Sequence, residues 1–240
     1  MIKKILVTIV TAISMGCVGS AQAIEPYFAK GIGFAYFFTE NTEINNASDF
    51  GTLRKEKWSY PTDLKHSDNG KVEVYSCEDL VSKMDAGYTE AIASEYVNIQ
   101  MQYKSCRMWH ELVSFKSSQN SYLDPIDFNK EFAKQTPPQL GFIISKDDER
   151  RMIAANSWDD MSRITKVELN DTDGSAIFYD DTGGKQELWL RAKGDYNDDG
   201  IEDALFTMSN TVEGGSYHSV HYYVLTRLSP DAPYTLLKQW

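Results

Sequence analysis

Residues 185–210 read "KQELWLRAKGDYNDDGIEDALFTMSN": two runs rich in strand-forming residues, separated by a turn that packs four aspartates, a glutamate and an asparagine into residues 194–203. Apolar runs on either side of a Gly, Asp and Asn turn read as paired antiparallel strands. The pattern repeats outward. "ITKVELN" (164–170) and "AIFYD" (176–180) precede it, and "SVHYYVLTRL" (219–228) and "YTLLKQW" (234–240) follow. Asp173-Gly174, Gly183-Gly184, Gly214-Gly215 and a Ser-Pro-Asp-Ala-Pro turn separate the runs. Short strands with turn chemistry between them predict an antiparallel meander of five or six strands.

Before residue 160 the signals change to helical ones. Ser76 followed by Asp79 reads as a capping box opening a helix from Cys77 to Asp85, with Gly87 ending it. From Thr89 to Phe115, Ile92, Tyr96, Ile99, Tyr103, Cys106, His110 and Val113 recur at steps of four and three, one face of a long amphipathic helix. Asp124-Pro125 predicts a helix start, ended before Pro137-Pro138; "GFIIS" (141–145) reads as a strand; Ser145 caps an acidic helix start reaching Ala155. The stretch 24–45, with "GIGFAYFF" inside it, reads as a buried strand or hairpin. The fold class is therefore α+β: a helix-rich region over 24–160 and an antiparallel β region over 161–240, within one compact domain.

The first 23 residues carry Lys3 and Lys4, an apolar run and Ala21-Gln22-Ala23, the pattern of a secretory leader cleaved after Ala23. A lipoprotein anchored at Cys17 is the weaker rival, because the aliphatic residue expected three positions earlier is missing. The protein is thus expected in the periplasm or outside the cell, with no stable membrane insertion after cleavage. Losing two lysines and no acids takes the formal charge from −11 to −13. Such an acidic chain argues against nucleic acid and anionic membranes, and suits cations or a basic partner.

Once the leader is removed, Cys77 and Cys106 remain, and in an oxidising compartment they are expected to form one disulfide. Closing that loop contributes roughly 3–4 kcal/mol on the chain-entropy model. A simple helical hairpin would set Cys106 about 10 Å too far along, so the helices must cross obliquely or Cys77 must lie in a loop.

The acidic turn spells D-x-N-x-D-G-x-x-D. Asp195, Asn197, Asp199 and Asp203 offer side-chain oxygens, Ile201 offers its carbonyl, and Gly200 supplies the bend. Calcium takes six to eight such hard oxygen ligands, so Ca2+ is the cofactor expected here. The twelfth position, Phe206, excludes an EF-hand. The motif resembles the strand-loop-strand calcium loop of FG-GAP and VCBS-type repeats, with Gly194, Asp195, Asn197, Asp199, Gly200 and Asp203 matching. Those families carry several copies around a propeller. One copy implies the loop without the propeller.

No other motif carries chemistry. His110-Glu111 starts like a zinc-protease helix, but Ser114 stands where the second histidine is needed, and His110 reads as a core residue. His218 and His221 are three apart on a strand and face opposite ways. Tyr217, His218, His221 and Tyr223, next to a glycine turn, form a candidate binding surface, against the plainer reading of half core and half sheet face. Two functions follow: a non-enzymatic exported protein-binding module, such as an inhibitor or immunity protein against a secreted toxin, or a periplasmic hydrolase of cell-wall or surface polysaccharide using scattered carboxylates.

Overall fold

The structure, a computed structural model, describes residues 22–32, 44–123 and 125–240. Most of the expected leader, its Cys17, most of "GIGFAYFF" and Asp124 lie outside the described residues.

The described chain opens with a two-residue strand, β1 (Tyr27–Phe28), then helix α1 (Ala47–Leu53), which Asn46 starts through a capping box with Asp49. A hairpin follows, β2 (Thr62–His66) and β3 (Gly70–Val74), turning where Gly70 takes φ 73°. The Ser76 hydroxyl accepts from Asp79 N at 3.1 Å and starts α2 (Cys77–Asp85). Strand β4 (Thr89–Glu90) pairs with β2, a 3₁₀ turn spans Ala93–Glu95, and α3 runs Tyr96–Leu112. The expected long helix thus starts seven residues late, because residues 89–90 are drawn into the small sheet β3-β2-β4.

That connection resolves the disulfide geometry. With a strand and a turn between α2 and α3, Cys106 comes to rest beside the first residue of α2, and the Cys77–Cys106 bond forms with Cα atoms 5.1 Å apart. The buried face of α3 also differs from the expected stripe. Ile99, Gln102, Cys106 and Trp109 point inward, whereas Ile92 and Tyr96 are 49% and 53% exposed. His110 is exposed as well, so the core-histidine reading is overturned: the inward face passes through its neighbours Trp109 and Glu111.

Three short helices follow: α4 (Lys130–Gln135), α5 (Lys146–Ala154) and α6 (Trp158–Ser162). The helix expected from Pro125 begins five residues later, where Asn129 Oδ1 accepts from Phe132 N at 2.9 Å and supplies the cap. "GFIIS" is not a strand. Phe142 N turns to Ser162 Oγ and Ile144 N to the Asp148 carboxylate, so neither is available to a ladder. Ser145 caps α5 as its sequence indicates.

The meander is present in full. β5 (Lys166–Asn170), β6 (Ser175–Tyr179), β7 (Gly184–Gly194), β8 (Asp203–Val212), β9 (His218–Thr226) and β10 (Thr235–Gln239) pair antiparallel in sequence order. β1 adds to β7 beyond the end of β6. Alternation along β8 sends Leu205 to a core shared with α1, α2 and α3, and Ala204, Phe206 and Met208 to a second core shared with α4 and α6. The sheet is therefore covered on both faces, and the helical and β regions share both cores.

Candidate functional site

The acidic loop joins β7 to β8. The Asp195 carboxylate accepts from Asp199 N at 3.1 Å and from Gly200 N at 2.8 Å, and Asp199 Oδ1 accepts from Ile201 N at 2.8 Å. Asn197 Nδ2 donates to Asp199 Oδ2 at 3.0 Å. Asp198 and Gly200 take left-handed backbone, φ 64° and 82°, which curls the loop inward. The Asp198 side chain leaves the turn for Lys116 Nζ, 2.6 Å away.

The segment after α3 holds this loop from both sides. Lys116 and Asp195 exchange backbone hydrogen bonds at 3.0 and 2.9 Å, Gln119 N and Asn120 N donate to Gly200 O, and Glu202 N donates to Asn120 O. Gly194 has φ 156°, and a Cβ there would stand 2.8 Å from Lys116 O. The glycine of the motif is therefore required by the strap that crosses it, as well as by the turn.

Asp203 sits beneath the loop, 0% exposed. Its Oδ2 accepts from Tyr196 N at 3.0 Å, while its Oδ1 is buried with no hydrogen-bond partner. Thr226, its cross-strand neighbour on β9, brings a buried hydroxyl close to this carboxyl without closing a hydrogen bond, and that nearness offsets part of the effect of burial. Burial pushes the Asp203 carboxyl up to about 6, and the neighbouring Asp199 and Asp195 add to the rise. Among the described residues no three His, Cys, Asp or Glu side chains converge as a metal cluster. The loop carboxylates face backbone N–H groups instead, and a cation would have to exchange those bonds for its own. The donors present are all hard oxygens, the set that suits calcium, and Asp203 Oδ1 is already free of other bonds.

The four residues considered as a binding surface do not share one. Tyr223 is 4% exposed in the second core, so it belongs to no surface. His218 and His221 pair with Thr211 and Met208 and face opposite sides of the sheet, as their spacing requires. Burial, with Lys104 nearby, pulls His221 down to about 4. Tyr217 is exposed and packs its ring 5.4 Å from that of Phe142.

A cleft of about 1120 Å³ opens where β7 changes partner. β6 pairs with β7 up to Ala176↔Leu188, β1 takes over at Phe28↔Ala192, and a bulge lies between Leu190 and Ala192. Trp189 and Arg191 project from the gap, facing Tyr27 and the Asn170 to Gly174 turn. Trp189 Nε1 donates to Asp173 Oδ2 at 3.0 Å, which holds the Asp173 carboxyl below its usual range. The Arg191 guanidinium stacks 5.2 Å from the Trp189 ring centroid, and its Nε donates to Thr207 Oγ1 at 3.1 Å. Sequence reasoning missed this cleft. The Asp173-Gly174 turn and the strand were both legible, but nothing in the residues marks the bulge that joins them.

Protein-family models, curated proteins and solved structures offer no relative of this chain.

Proposed function

We propose that the chain is an exported, calcium-stabilised binding module without catalytic chemistry of its own, docking a protein partner. Its concrete form is an inhibitor or immunity protein acting against a secreted toxin in the periplasm or outside the cell. The observation that carries the calcium reading is the buried Asp203 Oδ1, unpartnered beneath a turn whose other side chains are oxygen donors. Leaving a buried carboxylate oxygen unsatisfied costs free energy that a cation ligand would recover. Asp195, Asn197, Asp199 and Asp203, with the Ile201 carbonyl, would hold the ion, which would tie β7, β8 and the strap over 116–120 together. The likeness of 194–203 to the FG-GAP and VCBS calcium loop supports the same reading. The acidic charge and the leader pattern support export and a basic protein partner.

The test has two parts. Melting temperature with calcium and with a chelator reads the ion, and an unchanged melting temperature would overturn it. Mature protein in calcium, used to capture exported and envelope proteins, reads the partner. The reading requires a stoichiometric complex that re-forms from purified components.

A hydrolase of cell-wall or surface polysaccharide is the second reading, favoured by Asp171 and Asp173 on the wall of the open cleft. Against it, Asp173 is held ionised by its hydrogen bonds, whereas glycoside hydrolysis needs one carboxyl raised to act as an acid.

A further inference from the structure

The cleft on β7 contains a cation in an unusual position. Arg191 is largely withdrawn from water, and burial lowers its pKa. Among the described residues its guanidinium forms no salt bridge within 4.0 Å, and its one side-chain hydrogen bond leaves from Nε to a neutral hydroxyl. Both terminal nitrogens are therefore unengaged, in a residue whose planar fork is shaped for two parallel bonds to a carboxylate. Asp173 and Glu187 act on this charge from a distance, but neither forms an ion pair with it, so the fork is free to take up a bound anion.

The opposite wall has different chemistry. Half-buried Asn170 and exposed Asp171 and Thr172 form a turn of hydrogen-bonding side chains, and Tyr27 adds a ring. Carboxylates on that wall repel a bare anion but accept hydrogen bonds from hydroxyls. The lining therefore fits a molecule that is anionic at one end and rich in hydroxyls at the other. Its volume lies just above that of most small-ligand sites, which run to roughly 1,000 Å³, and bulges commonly aim side chains at such sites.

We propose that this cleft binds a sugar acid of the uronate type, with the Arg191 fork on the carboxylate and the 170–172 turn on the ring hydroxyls. Trp189, pinned by Asp173, holds the fork in place by stacking against it. The site lies outside the protein-partner reading and does not depend on it. Its ligand is a small saccharide or the acidic unit of a longer one.

The experiment follows the Trp189 Nε1–H and Arg191 Nε–H signals by NMR during titration of the folded protein, without added calcium, with D-glucuronate, D-galacturonate, D-glucose and acetate. One or both uronates should shift both signals to saturation, with glucose and acetate weaker by about tenfold or more, the loss expected when a charged hydrogen bond goes unmade. Arg191→Lys should weaken the uronate by about tenfold or more. Asp171→Asn, in an exposed turn where the fold is not at stake, should weaken it less. Saturation by acetate at equal strength would reduce the cleft to an anion site, and equal binding of glucose would remove the role of the fork. Either result, or no saturable shift from a uronate in folded wild-type protein, overturns the proposal.

Discussion

The hydroxyl of Tyr196, in the acidic loop, donates to the buried carboxylate of Glu111 at 2.6 Å, across 85 residues of chain. Lys238, on β10, reaches the other oxygen of the same carboxylate at 2.7 Å. One side chain at the end of α3 thus joins the loop to the last strand. Burial alone would raise the Glu111 pKa, but the bonds from Lys238 and Tyr196 outweigh it and hold the group below its ordinary value.

That sign sets a pH dependence. A carboxyl with a depressed folded pKa contributes stability that is present above its unfolded value, 4.5, and is lost as pH falls through the folded value. Chemical melts of wild type and Glu111→Gln should therefore differ most near neutrality and converge on acidification. Tyr196→Phe should cost about 1–2 kcal/mol at neutral pH, the usual loss when a charged hydrogen bond loses its donor. A wild-type advantage that grows on acidification would contradict the assignment.

On the calcium reading proposed for residues 195–203, Asp199→Ala should abolish any calcium-dependent rise in melting temperature. Because Asp199 Oδ1 also caps Ile201 N, the variant should melt somewhat lower than wild type even in chelator. Differential scanning calorimetry with and without calcium reads both effects.

Asp203→Asn separates the buried acid from the ion. In chelator at pH 8 the variant should be as stable as wild type or more so, since a neutral amide replaces a carboxylate buried with one oxygen unpaired. In calcium the order should reverse. Urea melts in both buffers supply the comparison, and a variant weaker in both would leave the buried oxygen without the cost assigned to it.

His221 should make the fold acid-sensitive in a different window. Its folded pKa is near 4 against 6.5, so the unfolded chain takes up the proton first, and stability should fall as pH drops from 6.5 towards 4. The loss is at most about 3 kcal/mol. His221→Gln should flatten that part of the stability curve.

Gly194→Ala should destabilise by about 1–3 kcal/mol. The added Cβ meets Lys116 O, a backbone atom that cannot yield without loosening the strap. Gly174→Ala, at φ 70° in open space, is the control: it bears only the conformational cost.

The strands were legible in the sequence because each run sits between turn residues with a defined backbone role, as Gly174, Gly183, Gly200 and Gly214 show by their positive φ. Ser76 and Ser145 marked their helices for a similar local reason: a hydroxyl followed by acids caps an N-terminus wherever it occurs. The hairpin β2–β3 could have been found from Asn69-Gly70 between alternating runs. The rest depended on contacts distant in sequence. The inward face of α3 was set by which residues meet the sheet and α2, so Gln102 and Glu111 are buried where the apolar pattern pointed to Ile92 and His110. Of the site, the loop donors could be read one by one. The unpaired oxygen of Asp203 could not, since it depends on how β8, β9 and the loop above pack around that side chain.

The strap over 116–120 has a kinetic consequence. Its bonds to 195–202 join segments some eighty residues apart, and contacts of that span close late because the chain must pay for the loop before they form. An ion held by 195–203 would then strengthen contacts that are absent when the folding barrier is crossed. Its effect would fall on the rate of unfolding and leave the rate of folding almost unchanged. Calcium would work here as a latch: it would lengthen the lifetime of the folded molecule without hastening its formation.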